Sequence, residues 1–281
     1  MIASRSAAAA ALLLCASCAT SPGAPLPPVG ARTADANARA ATLVRAGDYA
    51  GAARRYEEAL ALARSVEDAD AIAAHAINLS VVYQWMGRDG SARDALKIVL
   101  DDSKRPFPER RRLHAEPRRA ILELAAGDRA AAAEYAARAE RRCERLSCDV
   151  APALLNVKAQ IALDSGDATE AVRLAQAAAD TARARGNHAE QANALRNAGR
   201  ARLANGEAAA SIVLFEQALA IDHALADPRK IHADLVELAR AAAAAGDREG
   251  ARGYLERAQT VSHAARDPRG MEEMEVQLKL K

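Results

Sequence analysis

The sequence predicts an all-α protein, a stack of about six helical hairpins closed at its C-terminal end by one more helix. Three observations carry this. A glycine recurs as Gly47, Gly87, Gly127, Gly166, Gly206 and Gly246, at spacings of 40, 40, 39, 40 and 40 residues. A fixed period in this range marks a solenoid of stacked repeats. Small residues also keep fixed distances from each glycine: Ala40, Ser80, Ala120, Ala159, Gly199 and Ala239 before it, and Ala52, Ala92, Ala132, Ala171, Ser211 and Ala251 after it. Such side chains let two helices approach to roughly 8–10 Å between axes. Finally, 51% of the residues are hydrophobic but only 3% are aromatic. Alanine carries the apolar fraction, and strand formers are scarce.

The stretch from Ala73 to Leu100 shows the unit. It reads as two amphipathic helices, with Leu79, Tyr83 and Leu96 on the buried stripe and the turn at Gly87 between them. Glycine suits the left-handed conformation that ends a helix. Asp48, Asp128, Asp167 and Asp247 follow the turn glycines and are placed to cap the next helix.

The N-terminus reads as a targeting segment. Arg5 precedes a short apolar core, Ala7 to Leu14, well below the roughly 20 residues that span a membrane. Ala16-Ser17-Cys18 then resembles the lipobox of bacterial lipoproteins, in which the cysteine is lipidated and becomes the new N-terminus. The place usually held by leucine is Cys15. An ordinary signal peptide cut after Ala19 is the other reading. Ala19 is not the aspartate that retains such lipoproteins in the inner membrane, so the resemblance implies the periplasmic face of the outer membrane. Pro22, Pro25, Pro27 and Pro28 make the next segment an extended tether. The expected division is a signal peptide over 1–18, a tether over 19–32 and the repeats over 33–281.

Along the repeats, Gly47 to Leu60, GDYAGAARRYEEAL, and Ala76 to Gly87, AINLSVVYQWMG, are similar to the second-helix and first-helix patterns of the tetratricopeptide repeat (TPR) family. The resemblance runs from about Thr33 to the C-terminus and implies a right-handed α-α superhelix, a TPR solenoid. Repeats four to six are expected from about Pro152, Ala192 and His232. Repeat three breaks pattern: with Pro106, Pro108 and Pro117, a longer loop and a helix started or kinked at Pro117 are expected. Lys104, Arg105, Arg110, Arg111, Arg112, Arg118 and Arg119 lie here, read either as a solvated surface or as a docking patch. Export places Cys143 and Cys148 in an oxidising compartment, and a disulfide between them is expected. Glu272 to Lys281 should give a polar capping helix.

Formal net charge is +2, from 39 basic and 37 acidic residues, which gives no reason to expect nucleic acid as a partner. No HExxH, phosphate-binding glycine loop or GxSxG elbow occurs, so neither enzyme activity nor a metal or cofactor is expected. Binding is expected instead. The resemblance implies a concave groove lined by the first helix of each repeat. Sites nine or ten residues before the turn glycine hold Asn37, Asn78, Arg118, Asn156, Arg196, Asn197 and Glu237, followed one turn on by Gln160, Arg200 and Arg240. Amides can hold peptide main chain, and guanidinium groups favour an acidic partner. Trp85 reads either as core or as a binding anchor. The expected role is a lipid-anchored, non-catalytic scaffold for protein or peptide partners, supporting assembly of an outer-envelope machine as pilotins do. A regulatory adaptor for envelope enzymes such as peptidoglycan hydrolases is the alternative.

Overall fold

The computed structural model describes residues 28–101 and 105–279. Cys18, the segment 1–18 and the tether up to residue 27 lie outside the described residues, as does Lys104. Thirteen helices follow one another in the described chain. The hairpins pair α1 (Val29–Arg45) with α2 (Tyr49–Ser65), α3 (Ala69–Trp85) with α4 (Asp89–Leu100), and α5 (Glu109–Ala125) with α6 (Arg129–Cys143). They continue as α7 (Ala151–Asp164) with α8 (Ala168–Ala184), α9 (His188–Ala204) with α10 (Ala208–Leu225), and α11 (Pro228–Ala244) with α12 (Arg248–Ala265). The last helix, α13 (Pro268–Lys279), stands without a second partner.

Each hairpin turns in the same way. Gly47, Gly87, Gly127, Gly166, Gly206 and Gly246 all have positive φ, between 74° and 85°, which a residue with a Cβ adopts only at a cost. The N–H after each glycine reaches back over the turn, as Asp48 to the Leu43 carbonyl at 3.0 Å and Asp247 to the Ala242 carbonyl at 2.9 Å. This is the closure that satisfies the last carbonyls of a helix. Asp48, Asp128, Asp167 and Asp247 then accept from the N–H three residues on, satisfying one of the open donors of the next helix. Helix approach at the small positions is close. Ala40, Ala120, Ala159 and Ala239 are buried, and Gly199 lies against the ring of Phe215, where a Cβ would come within 2.5 Å.

The hairpins stack so that odd-numbered helices pack on the next odd one from α3 to α13, while even-numbered helices pack on their flanking odd neighbours. The odd helices therefore form the inner wall. Helix α10 is long and apolar enough, by length and composition, to cross a membrane. It lies between α9 and α11 with Phe215, Ala218 and Leu219 buried.

Three expectations need correction. Helix α1 starts at Val29, not at Thr33, because Pro28 has the extended backbone of a cap (φ −50°, ψ 147°) and can precede a first turn that needs no N–H from it. Pro117 neither starts nor ends a helix; α5 runs through it. Leu113, Ala115, Glu116 and Ala120 are buried on either side of it, and that packing offsets the roughly 3 kcal/mol an interior proline costs. Helices α9 and α11 start at His188 and Pro228, not at Ala192 and His232, because Asn187 and Asp227 accept from the next turn's N–H groups as caps. In the basic stretch, part of the charge is met from within the chain at the surface. Arg110 donates to Asp149, Arg111 to both oxygens of Asp70 at 2.7 Å, and Arg119 to Glu123. Cys143, the last residue of α6, is bonded to Cys148 in the loop beyond it.

Candidate functional site

The inner wall borders a half-open chamber of about 430 Å³. Its lining comes from odd-numbered helices and the turns before α11 and α13: Gln84 and Trp85 from α3, Arg118 from α5, Asn156 and Gln160 from α7, Glu190 and Asn193 from α9, Arg229, Lys230 and His232 from α11, and Arg269 and Glu273 from α13. The superhelix has wound far enough for its end to meet its beginning. Arg269 donates to both oxygens of Asp89, 180 residues away, at 2.7 and 2.6 Å. The Arg229 guanidinium lies over the Trp85 ring at 3.6 Å and over Tyr49 at 5.3 Å. Tyr49 and Trp85 pack with ring centroids 5.6 Å apart. Trp85 is thus neither plain core nor a free anchor: its ring stacks under an arginine from the far end of the chain. A second cleft, of about 850 Å³, lies beyond this stack between the α1–α2 turn and the turns before α11 and α13. The two share Trp85, Asp227 and Arg229.

The structure redistributes the residues expected to line one groove. Asn156 and Trp85 border the chamber. Asn37 and Asn78 line a separate cleft at the first repeat, beside His75. Arg196 is a correction: it is 4% exposed and donates from Nε to Asp234 at 2.6 Å and from Nη2 to Asp222. Asn197 is buried as well and donates to the carbonyl and side-chain oxygens of Asn156 at 3.3 and 3.2 Å. A helix places successive residues about 100° apart, and this face points between neighbouring helices. Arg200 is also committed inside the molecule, to Glu237 at 2.7 Å, and Arg240 to Glu237 and Glu273 at 3.1 and 3.3 Å. The five residues Asn78, Arg196, Asn197, Arg200 and Arg240 do not converge on one strip.

The chamber's own charges were only half legible. Arg118 stood among the sequence candidates, whereas Arg229, Lys230 and Arg269 carried no sequence signal beyond the DPR that recurs before α11 and α13. Burial lowers the Lys230 ammonium to about 8 and the Arg118 guanidinium to about 10. His232 is buried yet rises above its ordinary value. Burial, which would lower it, is outweighed by Glu273 at 3.3 Å and the Ala258 carbonyl at 3.1 Å. Nothing here arranges a nucleophile beside a base; the arrangement can hold charge and exclude part of the solvent.

Comparison with known proteins bears on the fold. The family described as tetratricopeptide repeat matches residues 149–223. No curated protein matches the sequence. Among solved structures, BtubC (BKLC) from P. vanneervenii is 20% identical with a TM-score of 0.53, covering 85% of this chain and 92% of that one. A Rap protein complexed with Competence and Sporulation Factor is 14% identical with a TM-score of 0.63, covering 87% and 69%. PilW, a widely conserved type IV pilus biogenesis factor, is 15% identical with a TM-score of 0.54, covering 81% and 92%. At these identities the likeness is one of fold. The repeated glycine turns and the shared superhelix give the chain the fold of tetratricopeptide-repeat proteins, and residues 149–223 match that repeat family itself.

Proposed function

We propose that the protein is a non-catalytic scaffold, held to the periplasmic face of the outer membrane by lipid on Cys18, that takes a segment of a partner protein into its inner chamber. TPR proteins bind protein or peptide partners, and the observation that carries the reading is the chamber. It is a concave space walled by the first helices of five successive hairpins and by α13, with Arg118, Arg229, Lys230 and Arg269 and the carboxylates Glu190, Asp227, Asp267 and Glu273 among its lining. Concave sites of roughly 300–1,000 Å³ are where ligands are held. The anchoring half rests on sequence: Ala16-Ser17-Cys18 after an apolar core, then a proline-rich tether. A solved neighbour described as a pilus biogenesis factor supports, by fold alone, a role in assembling envelope structures.

The test is capture from crosslinked, solubilised envelopes with the wild-type chain, and with the double variant Arg118→Met, Lys230→Met as the control for the chamber. A partner captured by wild type and lost with the double variant is the expected result; equal capture by both moves the site elsewhere. Cys18→Ser should release the protein to the soluble periplasm, and unchanged membrane fractionation refutes the anchor. Should the captured partner be a peptidoglycan hydrolase, the regulatory reading replaces assembly.

A further inference from the structure

The two ends of the superhelix meet through few groups. Among the described residues helices pack on their neighbours in the stack, and none of α1 to α4 lies along one of α11 to α13. What joins the ends comes from one motif used twice. HALADPR before α11 and HAARDPR before α13 each place an arginine in the first turn of the helix that follows. Arg229, from the first, lies over Trp85 at 3.6 Å and over Tyr49 at 5.3 Å. Arg269, from the second, donates to the two oxygens of Asp89 at 2.7 and 2.6 Å. The Gly47 turn also faces the end of α12, where a Cβ on the glycine would stand 3.5 Å from the Ala265 carbonyl oxygen. No backbone hydrogen bond crosses the join among the described residues.

These ties are light. The Arg269 and Asp89 side chains are 42% and 26% exposed, so water competes for the pair and salt screens it. Arg229 has a buried Nε without a hydrogen-bond partner among the described residues, and the carboxylate nearest to it, Asp227 at 3.5 Å, belongs to its own turn. Across the join it meets the Tyr49 and Trp85 rings. A second thin place lies midway round the stack. Consecutive hairpins pack least on either side of the α5–α6 hairpin, between α4 and α5 and between α6 and α7. Polar contacts brace these joints: Arg111 to Asp70 at 2.7 Å at the first, and Arg110 to Asp149 at 2.6 Å and Arg185 to the Cys148 carbonyl at 2.7 Å at the second. A curved stack that is thin in the middle and lightly tied at its ends has one easy motion, in which rotation about the α5–α6 hairpin parts the ends.

We propose that the two DPR arginines form a latch between the first and last hairpins. Closed, Arg269 on Asp89 and Arg229 on Trp85 hold the superhelix as a near-ring and narrow the way into the chamber. Released, the chain opens by rotation about the α5–α6 hairpin, the stack on Trp85 parts and the chamber widens. The latch belongs to the free chain, so it goes beyond the partner-binding reading and does not depend on it. Salt should favour release, because the screening length falls from roughly 10 Å at about 0.1 M to roughly 3 Å at about 1 M.

Trp85 is the sole tryptophan of the chain and lies under Arg229. Acrylamide quenching of its fluorescence therefore reads the stack, and small-angle X-ray scattering of the same full chain reads the maximum dimension. Arg269→Glu and Asp89→Arg each set like charges against each other across the join. Each should raise the quenching and lengthen the particle, with helical circular dichroism unchanged. The double variant Asp89→Arg, Arg269→Glu restores an opposite pair and should return both readings toward wild type. Arg229→Met should lengthen the particle as well, and wild type should lengthen with salt. In the opened variants, hydrogen exchange should quicken at the facing ends of α4 and α5 and of α6 and α7, while α8 and α9 keep their protection. Unchanged quenching and length in both single reversals overturn the latch. Single reversals that open, with a double variant that does not reclose, overturn the Asp89–Arg269 pair as its basis. A particle of wild-type length in Arg229→Met overturns the two-arginine latch, and exchange that quickens evenly along the stack overturns rotation about the α5–α6 hairpin.

Discussion

Replacing Arg196 by methionine removes the one guanidinium that two buried carboxylates share. Asp222 and Asp234 are 2% and 0% exposed, and both are bonded to Arg196 from neighbouring helices. Breaking a buried pair by removing one partner costs roughly 3–5 kcal/mol, because the charge left behind keeps its desolvation penalty. Proton uptake lessens the loss. Burial, against the attraction of Arg196, raises Asp222 from 3.8 to about 6. A carboxyl raised on folding contributes stability that is fully present below its unfolded value and is lost as pH rises through its folded value. For Asp222 that window runs from about 3.8 to about 6. Without Arg196 its folded value should climb further, so the deficit should be near the full 3–5 kcal/mol at about pH 7.5 and clearly smaller at about pH 5. Urea unfolding followed by helical circular dichroism measures it, with Arg200→Ala as the control. Arg200 is half-exposed and should cost about 1 kcal/mol or less. A deficit below about 1 kcal/mol at the higher pH, or one that does not shrink on acidification, refutes the argument.

Three further outcomes follow from particular contacts. Gly199→Ala should destabilise by about 1–3 kcal/mol despite better helix propensity, since its Cβ would lie 2.5 Å from the Phe215 ring; Phe215→Leu in the same chain should recover part of this in a thermal melt. Docking of α13 should depend on pH through His232 and Glu273. The raised His232 contributes below about 6.5 and is lost as pH rises through its folded value, while the lowered Glu273 contributes above about 4.5 and is lost on acidification. Hydrogen exchange of the α13 amides should therefore be slowest between those limits, and protection that keeps rising to pH 8 would refute it. Opening the Cys143–Cys148 link, five residues apart in sequence, should cost only about 2 kcal/mol for so small a loop. Non-reducing peptide mapping of the exported protein should find the two cysteines joined, and full alkylation without reductant would refute the link.

What could be read from the sequence is what the backbone itself demands. The six turn glycines carry positive φ, and a side chain that is costly there leaves a mark at every repeat. The small positions are legible for a similar reason: Ala40 or Ala120 sits where another helix passes, and volume excludes larger residues. The polar positions are not legible this way. Arg196 and Asn193 both belong to α9, yet Arg196 is buried between helices while Asn193 reaches the chamber. The difference is decided by Asp222 and Asp234, 26 and 38 residues further on. No local pattern carries that information. The meeting of Arg269 with Asp89 is further still from view, because it depends on the rotation accumulated over all the intervening repeats.

The same alanines that let the helices close up leave little large apolar surface to fix one repeat on the next, and polar pairs fill that role. Asn197 reaches Asn156 across 41 residues, Asn156 reaches Glu190 across 34, Arg200 reaches Glu237 across 37, and Arg240 reaches Glu273 across 33. Each step is about one repeat. A buried polar group is stabilising only when its partner is in place, so each pair favours one register between neighbouring hairpins and penalises a slip. The consequence for binding is that a polar residue on an inner helix is, by default, already committed to the next repeat. Arg196, Arg200 and Arg240 look from sequence like the natural ligands for an acidic partner, and each is neutralised by a carboxylate of this chain. Arg118 and Lys230 also reach one repeat away, to Gln84 and Asn193, but those partners are neutral amides. Their hydrogen bonds set the register as the others do, while carboxylates attract them without a salt bridge among the described residues: Glu190 acts on both, and Asp222 and Asp227 on Lys230.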